Sequence, residues 1–496
     1  MMSVSSTPSS DHPRDLKRKT ATSIVWTIAR GASDQLFSFI VFVTMARLLP
    51  KHDIGVFAIA YIFAEVGRAI AANAVNQVIA RQPQLSERFM NTVFWTNVAV
   101  ATLYAAIIVL LVLLPIPYFQ QPGLRPVLMA MAIPVIVNAL GSTHLALRLR
   151  EFGHKTIAIR SVVAGLIGGS VAIAAAFLGF GVWSLVIQRV VNEVIGTVLS
   201  WLSYRWRPSL QYDVTIAKQN IGFSGDLTIA QLIFLFLVRI QDLIVGGVLG
   251  PAMVAVYRVS WRLIESFAVG SIQPFSTVAL QTFSRLADRP TELRNAYRQF
   301  IRLCSSVSFP AVVGLGVLSP ELVHVVYGAK WVEAGRLGQV FAFMAVPFTL
   351  NYFASPVLSA MGDGRKQRLL ALIQLVLTIV LTASVVRYGL LWVVVGYVLR
   401  SYLTLPIQIR FLERSSGIRL SDTWSAIKWP FFCSVAMGLA VTALKLLVEL
   451  PPFWMLVSGA ALGGILYVAA LTTACPELIR QISDFLRKRR PAENVE

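Results

Sequence analysis

Two arginines and a glutamate stand inside a long apolar run. In VYRVSWRLIES, residues 256–266, Arg258, Arg262 and Glu265 fall at i, i+4 and i+7 and therefore share one helix face. Other charges recur in the same setting. Arg30 and Asp34 lie four apart, Glu65 and Arg68 three apart, Arg239 and Asp242 three apart, and Arg189 and Glu193 four apart, while Arg400 and Lys445 stand more alone. A guanidinium offers a planar fork of donors that suits a phosphate or a carboxylate. A carboxylate beside it keeps that fork paired, and titrates when its partner leaves.

Such residues are expensive where they stand. A charge at the centre of a bilayer costs about 2.5–3.5 kcal/mol on insertion scales, so each must face a partner or a wet cavity. Two roles follow. Opposite charges on neighbouring turns lock helices together, and that role suits Arg189 with Glu193. Arg400 and Lys445 are expected near span ends, with their head groups snorkelling to the interface. The remaining charges are expected to line a polar cavity. Arg258, Arg262, Arg239, Arg30 and Arg68 would receive an anionic group there. Glu265, Glu65, Asp34 and Asp242 would be their acidic partners or would couple an ion.

The elements that must hold these residues are membrane helices. The chain has 496 residues, is 56% hydrophobic and only 14% charged, and has a mean hydropathy of +0.68; soluble domains are roughly 25% charged. Apolar runs recur from Thr22 to Ala474, and about 14 of them are long enough to span a bilayer. Their centres lie near Leu36, Phe63, Thr102, Val137, Gly168, Val191, Phe234, Phe267, Phe309, Met344, Leu375, Val398, Val435 and Gly463. An all-α polytopic membrane protein is the expected fold class.

Charge orients the spans. The net charge is +20, but no aromatic-basic module accompanies it, so nucleic acid is not an expected partner. Instead the basic residues gather in alternate loops: Arg81/Arg88, Arg148–Arg160, Arg205–Lys218, Arg285–Arg302, Arg365–Arg368 and Arg410–Lys428. The intervening loops at Pro115–Arg125, Gly179–Gly181, Gly250–Pro251, Arg387–Gly389 and Glu449–Pro452 are short and poor in Lys and Arg. The positive-inside rule makes the first set cytoplasmic, with both termini inside and anionic headgroups as neighbours. Residues 1–20 read as a basic cytoplasmic tail and not as a signal peptide, and residues 477–496 as a second basic tail, carrying RKRR at 487–490.

The pattern also suggests a duplication. ARLLPKHDIGVFAIAYIFAE (46–65) aligns with GGVLGPAMVAVYRVSWRLIE (246–265), matching Leu49 to Leu249, Val56 to Val256, Phe57 to Tyr257 and Glu65 to Glu265. Arg258 and Arg262 then face Ala58 and Ile62. Two lobes at 21–210 and 211–415 would be related by an axis along the membrane normal, with two additional helices in 416–476. Prolines at 134, 274, 310, 347 and 356 can kink their helices. GLIGG at 165–169 reads as a close-packing face.

Enzyme chemistry finds little support. The external loops are too short for a catalytic domain, and no phosphate-binding loop of the G-x-x-x-x-G-K-[ST] type occurs. Three cysteines and five histidines are scattered without ligand-like spacing, so neither a metal nor a cofactor is expected.

Four segments carry a family resemblance: ARLLPKHDIGVFAIA (46–60), ALRLREF (146–152), LGFGVWSLVIQ (178–188) and YGAKW (327–331). Together, in order and spacing, they resemble the polysaccharide transport family, the Wzx-type lipid-linked oligosaccharide flippases of the MOP superfamily. The resemblance implies two six-helix bundles around a central cavity plus two C-terminal helices. It implies alternating access in a bacterial inner membrane. The implied substrate is an undecaprenyl-diphosphate-linked oligosaccharide, moved from the cytoplasmic to the periplasmic leaflet. Polysaccharide polymerase and export proteins become expected partners. Two other functions compete with this one. A MATE-like exporter of small cations would place carboxylates in command of the cavity, and a membrane polymerase or ligase would need a large external loop. The longest candidate loop, Ser319–Gly338, is modest.

Overall fold

The computed structural model describes residue 31, residues 35–71 and residues 73–476. The tails at 1–20 and 477–496, and with them Arg30 and Asp34, lie outside the described residues.

Regular structure among the described residues is helical throughout. The helices are α1 (Gln35–Leu48), α2 (Lys51–Ala71), α3 (Asn73–Arg81), α4 (Glu87–Leu113), α5 (Leu124–Ala130) and α6 (Ile133–Arg150). They continue as α7 (His154–Phe177), α8 (Trp183–Ser203), α9 (Val214–Val248), α10 (Pro251–Arg285), α11 (Pro290–Val317) and α12 (Ser319–Tyr327). The last six are α13 (Val332–Phe341), α14 (Ala345–Ala360), α15 (Gly364–Val385), α16 (Leu390–Ser416), α17 (Leu420–Leu447) and α18 (Pro452–Ala474). Among the described residues, thirteen segments are long and apolar enough to cross a membrane, and each contains one of the expected centres from Phe63 onward. The first expected centre, Leu36, lies in α1. The chain is an all-α polytopic membrane protein.

Helix faces show why these sequences suit lipid. On α4, Leu103, Ile107, Leu110 and Leu113 are exposed, each three or four residues from the next. The other face buries Asn97, Ala101, Ala105, Ile108 and Val112. Polarity is thus turned inward, because an exposed amide in hydrocarbon has no water to bond. Asn97 Nδ2 donates to Ala139 O at 3.1 Å and to Ser142 Oγ at 2.7 Å on α6.

The chain divides into two compact units, Met1–Leu235 and Phe236–Glu496, with the division inside α9. In the first unit, side chains reach across to backbone carbonyls. Tyr104 Oη donates to Phe63 O at 2.6 Å, Trp201 Nε1 to Leu140 O at 2.8 Å and Arg160 Nε to Gly196 O at 2.7 Å. Part of the GLIGG face packs closely: a Cβ on Gly168 would meet Gln188 O at 3.2 Å on α8, whereas one on Gly165 would meet nothing within 4 Å. The connection before α9 is strapped to α4. Asn91 Nδ2 donates to Ser209 Oγ at 2.6 Å, Trp95 Nε1 to Ser209 O at 2.9 Å, and Arg88 pairs with Asp213 at 3.1 Å.

In the second unit, α17 and α18 dock on α11. Arg298 pairs with the buried Asp422, and Arg294 Nε lies 3.5 Å from the same carboxylate. Tyr467 Oη donates to Ser306 O at 2.8 Å. Prolines divide by position. Pro134 and Pro347 lie in the first turns of α6 and α14, where no hydrogen bond is lost, whereas Pro310 and Pro356 lie inside α11 and α14. Pro274 falls within α10.

Candidate functional site

The cluster centres on the turn joining α9 to α10. Gly250, with φ at 87°, takes a conformation open to glycine, and Pro251 then opens α10 with its ring preset for a helix. The reversal brings the last turns of α9 beside the first turns of α10. Asp242, fully buried, thereby meets Arg258, and the two form an ion pair through Arg258 Nη2 and Asp242 Oδ2. The Arg258 side chain keeps 16% of its surface exposed. It is a cation held inside the membrane region without being sealed there.

Polar groups extend the cluster within the second unit. Tyr257 Oη donates to Gln241 Oε1 at 2.6 Å, and Gln241 Nε2 donates to Thr382 Oγ1 of α15 at 3.1 Å. Asp242, Glu265, Arg400 and Tyr397 all lie within electrostatic reach of the Tyr257 hydroxyl. Arg400 Cζ lies 4.4 Å from the centroid of the Tyr397 ring. Trp261 packs its ring edge-on to Tyr397 at 5.4 Å and to Phe341 at 5.2 Å, which closes the cluster with aromatic surface.

The other expected residues fall as follows. Arg239, Arg262 and Glu265 are half-buried in the second unit. Arg262 lies within electrostatic reach of Tyr327, whose hydroxyl is raised above its ordinary value by burial. Arg262 and Glu265 share a helix face but do not form an ion pair with each other. Glu65 and Arg68, both half-buried in the first unit, do not pair with each other either. Glu65 lies instead within electrostatic reach of Arg189 on α8. Helical spacing brings side chains to the same face, but neighbouring helices decide which charges meet.

Arg189 and Glu193 do pair, as their spacing predicts. Asn138 Nδ2 donates to the same carboxylate at 2.8 Å, and Arg189 Cζ lies 5.2 Å from the Tyr61 ring centroid. Lys445, in the last turn of α17, is held by Glu321 at 2.7 Å and donates to Val317 O at 2.9 Å. Arg400 corrects an expectation. It does not snorkel from a span end: it lies well inside α16 and is only 4% exposed. The packing of α16 decides this, because its buried face also carries Ser401, Thr404 and Gln408. The run of polar residues on one face of this helix is the sequence signal of its burial.

Two further features bear on ligands. An apolar groove of about 510 Å³ runs along Phe309, Val313, Phe343, Tyr402, Phe431 and Val435 in the second unit. Its one lysine, Lys445, is already engaged by Glu321, so its lining suits an apolar chain and not an anionic head group. Among the described residues, no three His, Cys, Asp or Glu side chains gather as a metal site would require.

Membrane helices packed around buried, paired charges make up this fold, and solved structures share it. The fold matches that of "Lipid II flippase MurJ, inward closed conformation" with a TM-score of 0.71 at 14% identity, covering 92% of this chain and 100% of that one. It also matches an inward-facing multidrug resistance MATE family transporter of the MOP superfamily with a TM-score of 0.60 at 15% identity, covering 77% of this chain and 96% of that one. The polysaccharide biosynthesis protein family matches residues 44–336, more than half of the chain, and the lipid II flippase MurJ family matches residues 215–462. The chain belongs to the polysaccharide biosynthesis protein family and matches a flippase family over half its length; it is a transporter and not an enzyme.

Curated relatives agree at low identity. The lipopolysaccharide biosynthesis protein WzxC of Escherichia coli (strain K12) is 21% identical over 64% of this chain and 65% of its own length. The teichuronic acid biosynthesis protein TuaB of Bacillus subtilis (strain 168) is 22% identical over 83% of this chain and 86% of its own. The succinoglycan biosynthesis transport protein ExoT of Rhizobium meliloti (strain 1021) is 21% identical over 95% of this chain and 97% of its own. The matched segment thus spans just under two thirds of the first of these relatives and nearly all of the third.

Proposed function

We propose that this flippase carries undecaprenyl-diphosphate-linked oligosaccharide repeat units from the cytoplasmic to the periplasmic leaflet of a bacterial inner membrane, by alternating access, with both termini cytoplasmic. The exported product would be a polysaccharide such as an exopolysaccharide, an O-antigen or a capsule. The observation that carries this reading is Arg258, a guanidinium inside the membrane region that is paired to a fully buried carboxylate yet still partly open. A diphosphate cannot cross hydrocarbon cheaply, and a guanidinium fork meets it with two parallel charge-assisted hydrogen bonds. Arg262, Arg239 and Arg68 are assigned supporting cationic roles, with Arg30 outside the described residues. Asp242, Glu265 and Glu65 are assigned the role of acidic partners or of ion coupling, with Asp34 likewise undescribed.

The test is translocation of a labelled lipid-linked oligosaccharide in vesicles holding the purified protein. Arg258→Ala with Arg262→Ala abolishes transport while the protein still inserts, and Lys at either position restores it only in part, because an ammonium lacks the fork. Wild-type rates from a well-inserted double variant would sink the role of these arginines. Orientation is tested separately with Lys330→Cys, whose thiol reacts with an impermeant reagent from outside the cell. Labelling only in inverted vesicles would reverse the topology.

A further inference from the structure

Arg400 is a buried cation without a counter-charge. It stands about 15 Å along α16 from Leu390 and is only 4% exposed. Other membrane cations of this protein have carboxylates: Arg189 has Glu193, Arg258 has Asp242 and Lys445 has Glu321. Arg400 forms no ion pair among the described residues, and its Nε is buried without an acceptor. The Tyr397 ring lies 4.4 Å from Cζ. A ring face attracts a guanidinium but does not neutralise it. Trp261 and Phe341 stand edge-on to that ring at 5.4 and 6.4 Å, so the surroundings are aromatic. On the same face of α16, Ser401 Oγ donates to Tyr397 O at 2.9 Å and Thr404 Oγ to Ser401 O at 3.0 Å, which turns both hydroxyls to their own helix.

A guanidinium does not lose its proton inside a protein, so it cannot escape burial by becoming neutral as a buried lysine can. An uncompensated charge in a low-dielectric interior is strongly destabilising. Two carboxylates, Asp242 and Glu265, share with Arg400 the electrostatic neighbourhood of Tyr257. Asp242 pairs with Arg258, and Glu265, half-buried on α10, forms no ion pair with Arg400. We propose that the second unit holds a monovalent inorganic anion of the halide class against the Arg400 guanidinium. One guanidinium calls for one counter-charge, and two nearby carboxylates disfavour a dianion more than a monoanion. This site is separate from the diphosphate-handling role of Arg258 and does not depend on it.

The experiment compares thermal midpoints of the purified full-length protein in sodium gluconate and in sodium chloride or bromide at equal ionic strength. Halide raises the wild-type midpoint by about 2–4 °C, and the rise saturates as binding at one site requires. R400Q removes the halide dependence, because a neutral amide needs no counter-ion. R189M/E193L, which lacks a cation that has its own carboxylate, keeps it. A wild type indifferent to halide, or a halide shift that survives in R400Q, overturns the proposal. Where R400Q does not fold, wild-type crystals grown in bromide carry the test. An anomalous peak against the Arg400 guanidinium supports the site, and no peak there overturns it. E265Q separates a halide from a side chain of the protein: the shift persists in E265Q, whereas a shift seen only in E265Q gives the counter-charge to Glu265 and overturns the proposal. Pyrophosphate separates a halide from a substrate head group. A rise with pyrophosphate that is lost in R400Q, with no rise in halide, gives Arg400 to the head group and overturns the halide assignment.

Discussion

Both units bury charge among their membrane helices, but the two clusters are built differently. In the first unit, Arg189 and Glu193 sit one turn apart on α8, and Asn138 and the Tyr61 ring occupy much of what remains. The pair forms within one helix and moves with it. In the second unit, Asp242 and Arg258 meet across two helices, and a further cation, Arg400, stands on a third. A pair on one helix needs no neighbour to form, whereas a pair across two helices exists only while those helices stay packed. A sequence-identified charge pair is therefore a poor guide to function until its partners on other helices are known.

The largest effect of substitution is expected in the second unit. Arg258→Ala alone lowers translocation per inserted molecule by about tenfold or more, the loss of one bidentate anion contact. A rate equal to wild type in the vesicle assay would make this cluster as inert as the first. Next comes Asp422→Asn. Asp422 is buried against Arg298 and Arg294 and accepts from Arg419 N at 2.9 Å. Removing its charge leaves the arginines facing a neutral amide, at a cost of about 1–3 kcal/mol, because both guanidiniums are more than a third exposed and screened by solvent. The measurement is the thermal midpoint in detergent, together with protease access to the loop before α17.

Smaller effects are expected in the first unit. Arg189→Met with Glu193→Leu removes both charges of a buried pair, and such replacements change stability by only about 1–4 kcal/mol, often upward. Transport by the folded variant stays within about twofold of wild type. A transport loss as large as that of Arg258→Ala would show that the first cluster also handles ligand. The smallest effect concerns Asp213 in the strap before α9. The Ile216 N–H, the Thr215 N–H and Arg88 hold its carboxyl below the ordinary 3.8. Its contribution is therefore fully present above that value and is lost as the pH falls through the lowered one. Asp213→Asn removes this acid-dependent component from the thermal midpoint, and an unchanged pH profile would show that the strap holds without the charge.

How much of this was legible beforehand depended on the range of the interaction. Span positions follow from hydropathy over some 20 residues, a property of contiguous sequence. Each expected centre from Phe63 to Gly463 falls inside a helix for that reason. The Arg189–Glu193 pair was legible because helical geometry alone brings i and i+4 together. The Arg258–Asp242 pair was not. Spacing groups Arg258 with Arg262 and Glu265 on its own face, and Asp242 with Arg239, and says nothing about the next helix. Arg400 differs from expectation for the same reason: isolation in sequence does not reveal which face of α16 the bundle buries.

The amino-acid sequence by itself determined that this chain is a bundle of membrane helices, that its charges must be sheltered, and which four segments tie it to a flippase family. Those conclusions rest on transfer free energies and local periodicity, which act residue by residue along the chain. Only the tertiary structure decided which charges shelter one another. That choice depends on how the α9–α10 turn reverses, on which face of α16 is buried, and on where a cation is left without a counter-ion. In a low-dielectric interior a few ångströms separate a strong ion pair from an uncompensated charge, and only packing sets distances that fine.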